Sequence, residues 1–294
     1  MKVFRAKSAE NIHAFIYGYP GCGKTKFIAD FHTAGQSVAV VAGFNSSRTL
    51  ELQGADCPII VPSSLEELIA IVQMPEEVIA KVIHPVFPGY VVKTWAFDVL
   101  KDLQMIIFGE AGETKKTIFE GAMELPAFKS TGVMAMPGAV QEGEKGDGYT
   151  PSNKGYRLLD MKLRSLLRSI EKMPYHTIIT AHAEKDYTPE TIKKFTGDPK
   201  LDKDLKHDAV MMGYPSLEGF SAKSDISGLA GEMLLYLESP KGVEYFMYPK
   251  PHHQGFHART QMAEHMPPRI DWTGKNAFEL LNKFINEVKK NKNV

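Results

Sequence analysis

Hydrophobic and polar positions along this chain switch between a two-residue and a three-to-four-residue period, which predicts alternating strands and helices. Asn11 to Tyr17 sets Ile12, Ala14 and Ile16 against His13, Phe15 and Tyr17, the pattern of a buried strand. Phe27, Ile28 and Phe31 then carry helical spacing until Gly35 ends the helix. Ser37 to Gly43 is nearly continuous apolar sequence, as expected of a parallel strand covered on both faces. Ser64 and Glu67 make a capping box ahead of a stripe of Leu65, Leu68, Ile69 and Val72. A further helical piece is expected from Pro75 to near His84, before Pro85, Pro88 and Gly89 break the chain. Tyr90 to Phe97 predicts another strand, which ends on Asp98 and leads into an apolar helix over Val99 to Phe108.

The second half continues the alternation between two irregular stretches. Residues 110–153 are rich in Gly, Pro and charge, and are expected to form a long inserted loop. Leu159, Leu163, Leu166, Leu167 and Ile170 then mark a helix between Tyr156 and Lys172, with Arg164 and Arg168 on a solvated face. Tyr175 to Ala181 reads as a strand ending at His182, and residues 184–227 as a second irregular insertion. Glu232–Glu238 and Val243–Tyr248 predict a hairpin turning at Ser239-Pro240-Lys241-Gly242. The last helix is expected over about 276–290, capped by Asn276 with Glu279. The whole, residues 1–294, is expected to be one α/β domain with a mostly parallel central sheet.

Chemistry enters where the first strand meets the first helix. Gly18-Tyr19-Pro20-Gly21-Cys22-Gly23-Lys24-Thr25 fits the phosphate-binding loop pattern at every fixed position. Glycines let successive backbone N–H groups curl inward around an anion, and the helix beginning at about Lys24 adds its positive end. Lys24 is placed to reach the β- and γ-phosphates, and the Thr25 hydroxyl to ligate Mg²⁺. Strand, glycine-rich loop and helix in that order predict a nucleoside triphosphate site.

Composition narrows the partners. The 35 basic and 35 acidic residues cancel, so nucleic-acid binding would need a local patch and not bulk charge. Two cysteines, Cys22 and Cys57, make neither a disulfide framework nor a metal cluster, and Cys22 reads as a small filler in the loop. No apolar run reaches the length of a membrane span, and Met1-Lys2-Val3-Phe4-Arg5 lacks a signal core, which predicts a soluble, cytoplasmic protein.

In an open parallel sheet, ligands gather at the carboxyl ends of the strands, where Asn45, Asp98 and His182 join the loop. Asp98 suits the second nucleotide motif, a carboxylate on the Mg²⁺ side, and also suits an N-cap for the helix behind it. Val99 follows it, so no neighbouring acid stands ready to activate water. Two readings fit His182: a sensor of the γ-phosphate, or a histidine that closes a strand. His252, His253 and His257 have the spacing of one helical turn, but Pro251 and Gly255 oppose a helix and no carboxylate completes a metal set. Arg259 is a better functional candidate, since a guanidinium always carries charge and can touch a triphosphate in cis or across a subunit boundary.

Gly18–Thr25, the strand Trp95-Ala96-Phe97-Asp98 with Val99-Leu100-Lys101-Asp102-Leu103, the strand end Thr180-Ala181-His182 and the late Arg259 occur in a characteristic order. The chain from about Ile12 to Arg259 resembles the phage-encoded RecA-like P-loop ATPases, a group that includes single-strand annealing and recombination proteins. The resemblance implies a RecA-like core, ATP with Mg²⁺, homo-oligomers with nucleotide near subunit boundaries, and single-stranded DNA as partner. It makes Asp98 the Mg²⁺-side acid, His182 the γ-phosphate sensor, and the region after His182 a DNA-contacting loop in the host cytoplasm. Such proteins commonly carry a catalytic Glu after the second core strand, where this chain reads Ala42-Gly43-Phe44-Asn45-Ser46-Ser47. Asn45 can orient a water but cannot take its proton, so slow hydrolysis is expected. An ATP-switched assembly or loading factor, acting on a replication or recombination protein, is the alternative.

Overall fold

Ten strands form one sheet in the computed structural model, which describes residues 11–42, 50, 54–62, 65–98, 140–142, 149–151, 161, 164–187, 211–215, 233–260 and 263–292. The elements in chain order begin with β1 (His13–Gly18), α1 (Lys24–Phe31) and β2 (Val38–Ala42). They continue through β3 (Ile59–Ile60), α2 (Leu65–Gln73), α3 (Pro75–Val78) and β4 (Thr94–Asp98). A separate ribbon, β5 (Val140–Glu142) with β6 (Tyr149–Pro151), precedes α4 (164–170) and the long strand β7 (His176–Tyr187). Then come β8 (Met211–Pro215), β9 (Met233–Glu238), β10 (Phe246–Tyr248), β11 (Arg259–Thr260), β12 (Ile270–Asp271) and α5 (Ala277–Lys292).

The sheet runs β12-β10-β9-β1-β7-β4-β2-β3, with β11 on β9 and β8 on the far part of β7. From β9 to β3 every neighbouring pair is parallel, and the antiparallel pairs lie at the β9 side and on the extension of β7. Parallel strands covered on both faces need apolar residues at every position. All five residues of β2 are fully buried, which accounts for the unbroken run Val-Ala-Val-Val-Ala.

Two cores flank the sheet. Phe15, Tyr17, Trp95, Phe97, Ile179 and Tyr236 face one side with Leu68, Ile71, Leu167 and Ile170. Ala14, Ile16, Ala96, Ile178 and Leu235 face the other, with Phe27, Ile28 and Phe31 of α1 and Phe278 and Leu281 of α5. Burying each such large side chain contributes about 1.5–3 kcal/mol, so the helix stripes, more than helix propensity, hold these layers.

Helix α5 is locked to α1 by polar contacts at its first turn. Asn276 Oδ1 accepts from the Glu279 N–H at 3.2 Å, and its Nδ2 donates to the Asp30 carbonyl at 2.7 Å. The Asp30 carboxylate accepts from the Ala277 N–H at 2.9 Å and pairs with Lys26 at 2.9 Å, placing negative charge at the positive end of α5. Asn276→Ala should cost about 1 kcal/mol of stability through the lost cap, read as a lower midpoint in urea unfolding.

A half-buried histidine closes this same end of the sheet, edge-on to Phe31 of α1 and Phe278 of α5. The Ile12 N–H donates to His176 Nδ1 at 2.8 Å, and His13 Nδ1 lies 2.8 Å from Thr177 Oγ1. Burial holds both imidazoles below their usual 6.5, with the His13 and Lys93 charges adding to the effect at His176. Protonating His176 would turn an acceptor into a donor facing a donor. The folded state therefore binds fewer protons than the unfolded chain, so this stability is complete above pH 6.5 and declines as pH falls below it. The expected result is a lower thermal midpoint at about pH 5.5 than at about pH 7.5, with the difference reduced in His176→Asn.

The strand expected over Tyr90–Phe97 starts only at Thr94, because its partner β2 begins at Val38, opposite Thr94. Tyr90 instead uses its hydroxyl, donating to the Val38 carbonyl at 2.8 Å. The strand expected to end at His182 continues to Tyr187 by changing partner: beyond the parallel sheet it pairs antiparallel with β8. Both β8 and the β5–β6 ribbon fall inside stretches read from sequence as irregular. The hairpin strand expected from Val243 joins the ladder at Phe246, since Tyr245 donates its N–H to Thr273 Oγ1 and not to β9. The capping residue Ser64, the helix expected over 99–108 and Asn45 lie outside the described residues.

Candidate functional site

Strand β1 delivers Gly18 to the carboxyl edge of the sheet, and the chain turns there into α1. A side chain cannot be added at Gly18, where a Cβ would lie 2.4 Å from the Leu237 carbonyl oxygen and 2.5 Å from Cys22 Sγ. Gly23, which precedes α1, has φ +95°, and a Cβ there would meet the Tyr245 ring at 2.8 Å and Trp272 at 3.2 Å. Both positions require glycine, one for space and one for backbone conformation. Cys22 is buried, and burial pushes its thiol up, as suits a packing residue and not a reactive one.

No side chain caps α1 and no acid stands in its first turn. Its leading N–H groups have no intrahelical acceptor and face the loop with the positive end of the helix dipole. Lys24 is buried, and its ammonium donates to the carbonyls of Gly18 at 3.0 Å and Tyr19 at 3.1 Å. A buried cation satisfied only by neutral carbonyls and a 3.8 Å contact to the Cys22 thiol would gain by exchanging them for phosphate oxygens. Thr25 follows in the same first turn, half-buried. These donors, with no carboxylate in the first turn to repel an anion, fit a triphosphate.

Asp98 ends β4 and is 1% exposed. Its Oδ1 accepts a hydrogen bond from Thr180 Oγ1 at 2.7 Å. β7 runs between β4 and β1, so Asp98 lies two strand spacings from the loop, about 10 Å across the sheet edge. That gap suits a metal ion and phosphate between loop and acid better than direct contact. The chain thus carries an uninterrupted series of Asp98, Thr180, His182 and Gly18 along one edge, with His182 in register opposite Gly18.

A family model for the AAA domain matches residues 10–260, most of the chain. The protein belongs to the AAA domain family of P-loop ATPases. No curated protein matches it. ATP and Mg²⁺ are the ligands this family generally uses. Lys24 with the first-turn amides would hold phosphates, and Thr25 with Asp98 the metal, which when bound would neutralise charge on the phosphate oxygens.

Other predicted residues of the AAA domain are placed differently. Arg259 is exposed on β11, paired with Leu234, which is level with Phe15 on β1. It therefore sits three residues short of Gly18, about 10 Å back along the strand direction, and on the far side of β9. The structure does not bring it to the loop of its own chain. His252 is buried against Tyr236, Tyr248 and Phe256, and burial keeps it neutral, so its 3.6 Å approach to Glu238 is not an ion pair. Among the described residues no group of three or more His, Cys, Asp or Glu could hold a metal, and no helix is long and apolar enough to cross a membrane.

Thr180 is the site residue that sequence reasoning passed over in favour of His182. The signal was available: a polar side chain two positions earlier, at the end of the apolar pair Ile178–Ile179, one residue beyond the Phe97–Ile179 pair and so level with Asp98. Tyr17 was likewise read only as strand filler. Its buried hydroxyl lies within hydrogen-bonding distance of the His257 and Gly213 carbonyls, tying the strand before the loop to β8 and to the loop before β11.

Proposed function

We propose that the protein is a RecA-like, phage-type ATPase that acts on single-stranded DNA in recombination, annealing or replication. The observation that carries this reading is β7 itself. Its parallel part supplies Thr180 to Asp98 and sets His182 opposite Gly18, and its extension beyond His182 pairs with β8. Between these two strands the sequence holds Lys193, Lys194, Lys200, Lys203 and Lys206, interleaved with Glu190, Asp198, Asp202, Asp204 and Asp208, and Phe195 as a stacking group. A strand that passes the triphosphate edge and then enters a segment with cationic and aromatic side chains supports a link between nucleotide and nucleic acid. In this reading Asp98 positions Mg²⁺, His182 senses the γ-phosphate, and Arg259 serves a neighbouring subunit in a homo-oligomer, as its exposed edge position suits.

Binding of labelled single- and double-stranded oligonucleotides across a salt series, with and without Mg·ATP, tests the proposal. Preference for single strands, strengthened by ATP and weakened by salt with a linear logarithmic slope, is expected. Binding indifferent to strandedness and salt would sink it. The balanced net charge favours the second reading, an ATP-switched assembly or loading factor, which predicts capture of a protein partner that needs ATP and not DNA.

A further inference from the structure

We propose that the Tyr245 ring is the shelf on which the nucleobase of the bound triphosphate stacks. The inference rests on Gly18–Thr25 being the triphosphate site, and sheet order gives the direction in which the ligand runs. Asp98 stands two residues beyond Ala96, and Thr180 two beyond Ile178, both of which face the α1 side. Strand alternation therefore places carboxylate and hydroxyl on the α1 side as well. The metal and the terminal phosphate lie from the loop toward β4, so the nucleoside leaves it the other way, toward β9 and β10, on the same face.

Tyr245 is the aromatic residue that waits there. It packs half-buried on the α1-side core, beside Gly23 and with its ring centroid 5.3 Å from that of Trp272. Its main chain is held on both sides: its N–H donates to Thr273 Oγ1 at 2.9 Å, and its carbonyl accepts from the Trp272 N–H at 3.0 Å. Its hydroxyl reaches the Gly242 carbonyl at 3.4 Å, fixing the ring to the β9–β10 turn. The nearby cation, Lys26, sits 4.5 Å from the Trp272 centroid and 5.8 Å from that of Tyr245, and pairs with Asp30. Tyr19, the other aromatic beside the loop, leans edge-on against Phe256 in the opposite core and does not lie on the ligand's path. A preset ring fixed by the contacts above recognises a base through its π-face and so selects for a large one. The shelf therefore takes purine over pyrimidine nucleotides, with little discrimination between adenine and guanine.

Calorimetric titration of the full chain with Mg·ATP, and with magnesium tripolyphosphate as a baseless probe, tests this. The wild-type protein should bind ATP about ten-fold or more tightly than tripolyphosphate, the worth of one base–aromatic stack. Tyr245→Ala should erase that margin and leave tripolyphosphate affinity unchanged, while Tyr245→Phe should keep it. Tyr245→Leu, which retains an apolar wall beside Gly23, serves if the alanine variant does not fold. Undiminished ATP affinity in these variants, or equal loss for both ligands, would overturn the shelf and make Tyr245 a wall of the phosphate loop only. Wild-type protein that binds neither ligand would instead reject the triphosphate site, and the shelf with it.

Discussion

Lys24→Ala is expected to lower affinity for Mg·ATP by about 100-fold or more, because two charge-assisted hydrogen bonds at about 1.5–3 kcal/mol each are removed. The fold should survive the change. Lys24 bonds only within its own loop, to the carbonyls of Gly18 and Tyr19 and to the Cys22 thiol, and the two carbonyls lie at the sheet edge where water can replace it. The measurement is calorimetric titration, supported by thermal unfolding with and without nucleotide. A ligand at a hundred times its dissociation constant stabilises the folded state by about 2.7 kcal/mol, so the variant should lose its ATP-induced rise in melting temperature. Wild-type affinity in the variant would remove the basis of the site.

Asp98→Asn is expected to separate metal from phosphate. The amide oxygen can still accept from Thr180, so the 2.7 Å contact has a replacement, but the negative charge is gone. Mg²⁺-dependent ATP binding should fall about ten-fold or more, binding measured in chelator should change little, and hydrolysis should drop by about 100-fold or more. Stability should hold or rise, since a buried carboxylate has been replaced by a neutral group of equal size. Thr180→Val reverses the pattern. It keeps the charge, leaves a buried carboxylate oxygen short of its donor, and should cost about 1–3 kcal/mol of stability with a smaller effect on the metal. Equal Mg²⁺ dependence in wild type and Asp98→Asn would dismiss Asp98 as the metal-side acid.

The parts of this molecule that were readable from sequence are those governed by local periodicity. The loop and the apolar run of β2 stand within a residue of expectation, because burial on both faces imposes its pattern on each residue; β1 begins two residues later than expected, and α1 gives way at His32 to a wider turn that reaches Gln36. Asp98 was found for the same reason, as the first charge after a buried strand. What escaped depends on partners far away in the chain. The beginning of β4 is set by where β2 begins, 52 or more residues earlier, and no local signal at Tyr90 reports it. β7 outruns His182 because β8 is there to receive it, and β8 is a five-residue strand of Met, Gly, Tyr and Pro with no alternation to betray it. Thr180 and Tyr245 matter through contacts 82 residues away and across a turn to Gly23, distances over which sequence spacing carries no information.

The lock between α1 and α5 has a practical consequence for anyone dividing the chain into fragments. The family match stops at residue 260, yet Trp272 packs beside Gly23, Phe278 stacks edge-on to Phe31, and Asn276 and Ala277 engage Asp30. A fragment trimmed at residue 260 would strip the cover from α1 and leave Phe27 and Phe31 facing solvent directly behind the phosphate loop. Such a fragment should aggregate on expression, whereas one carried through Lys292 keeps the helix sheathed.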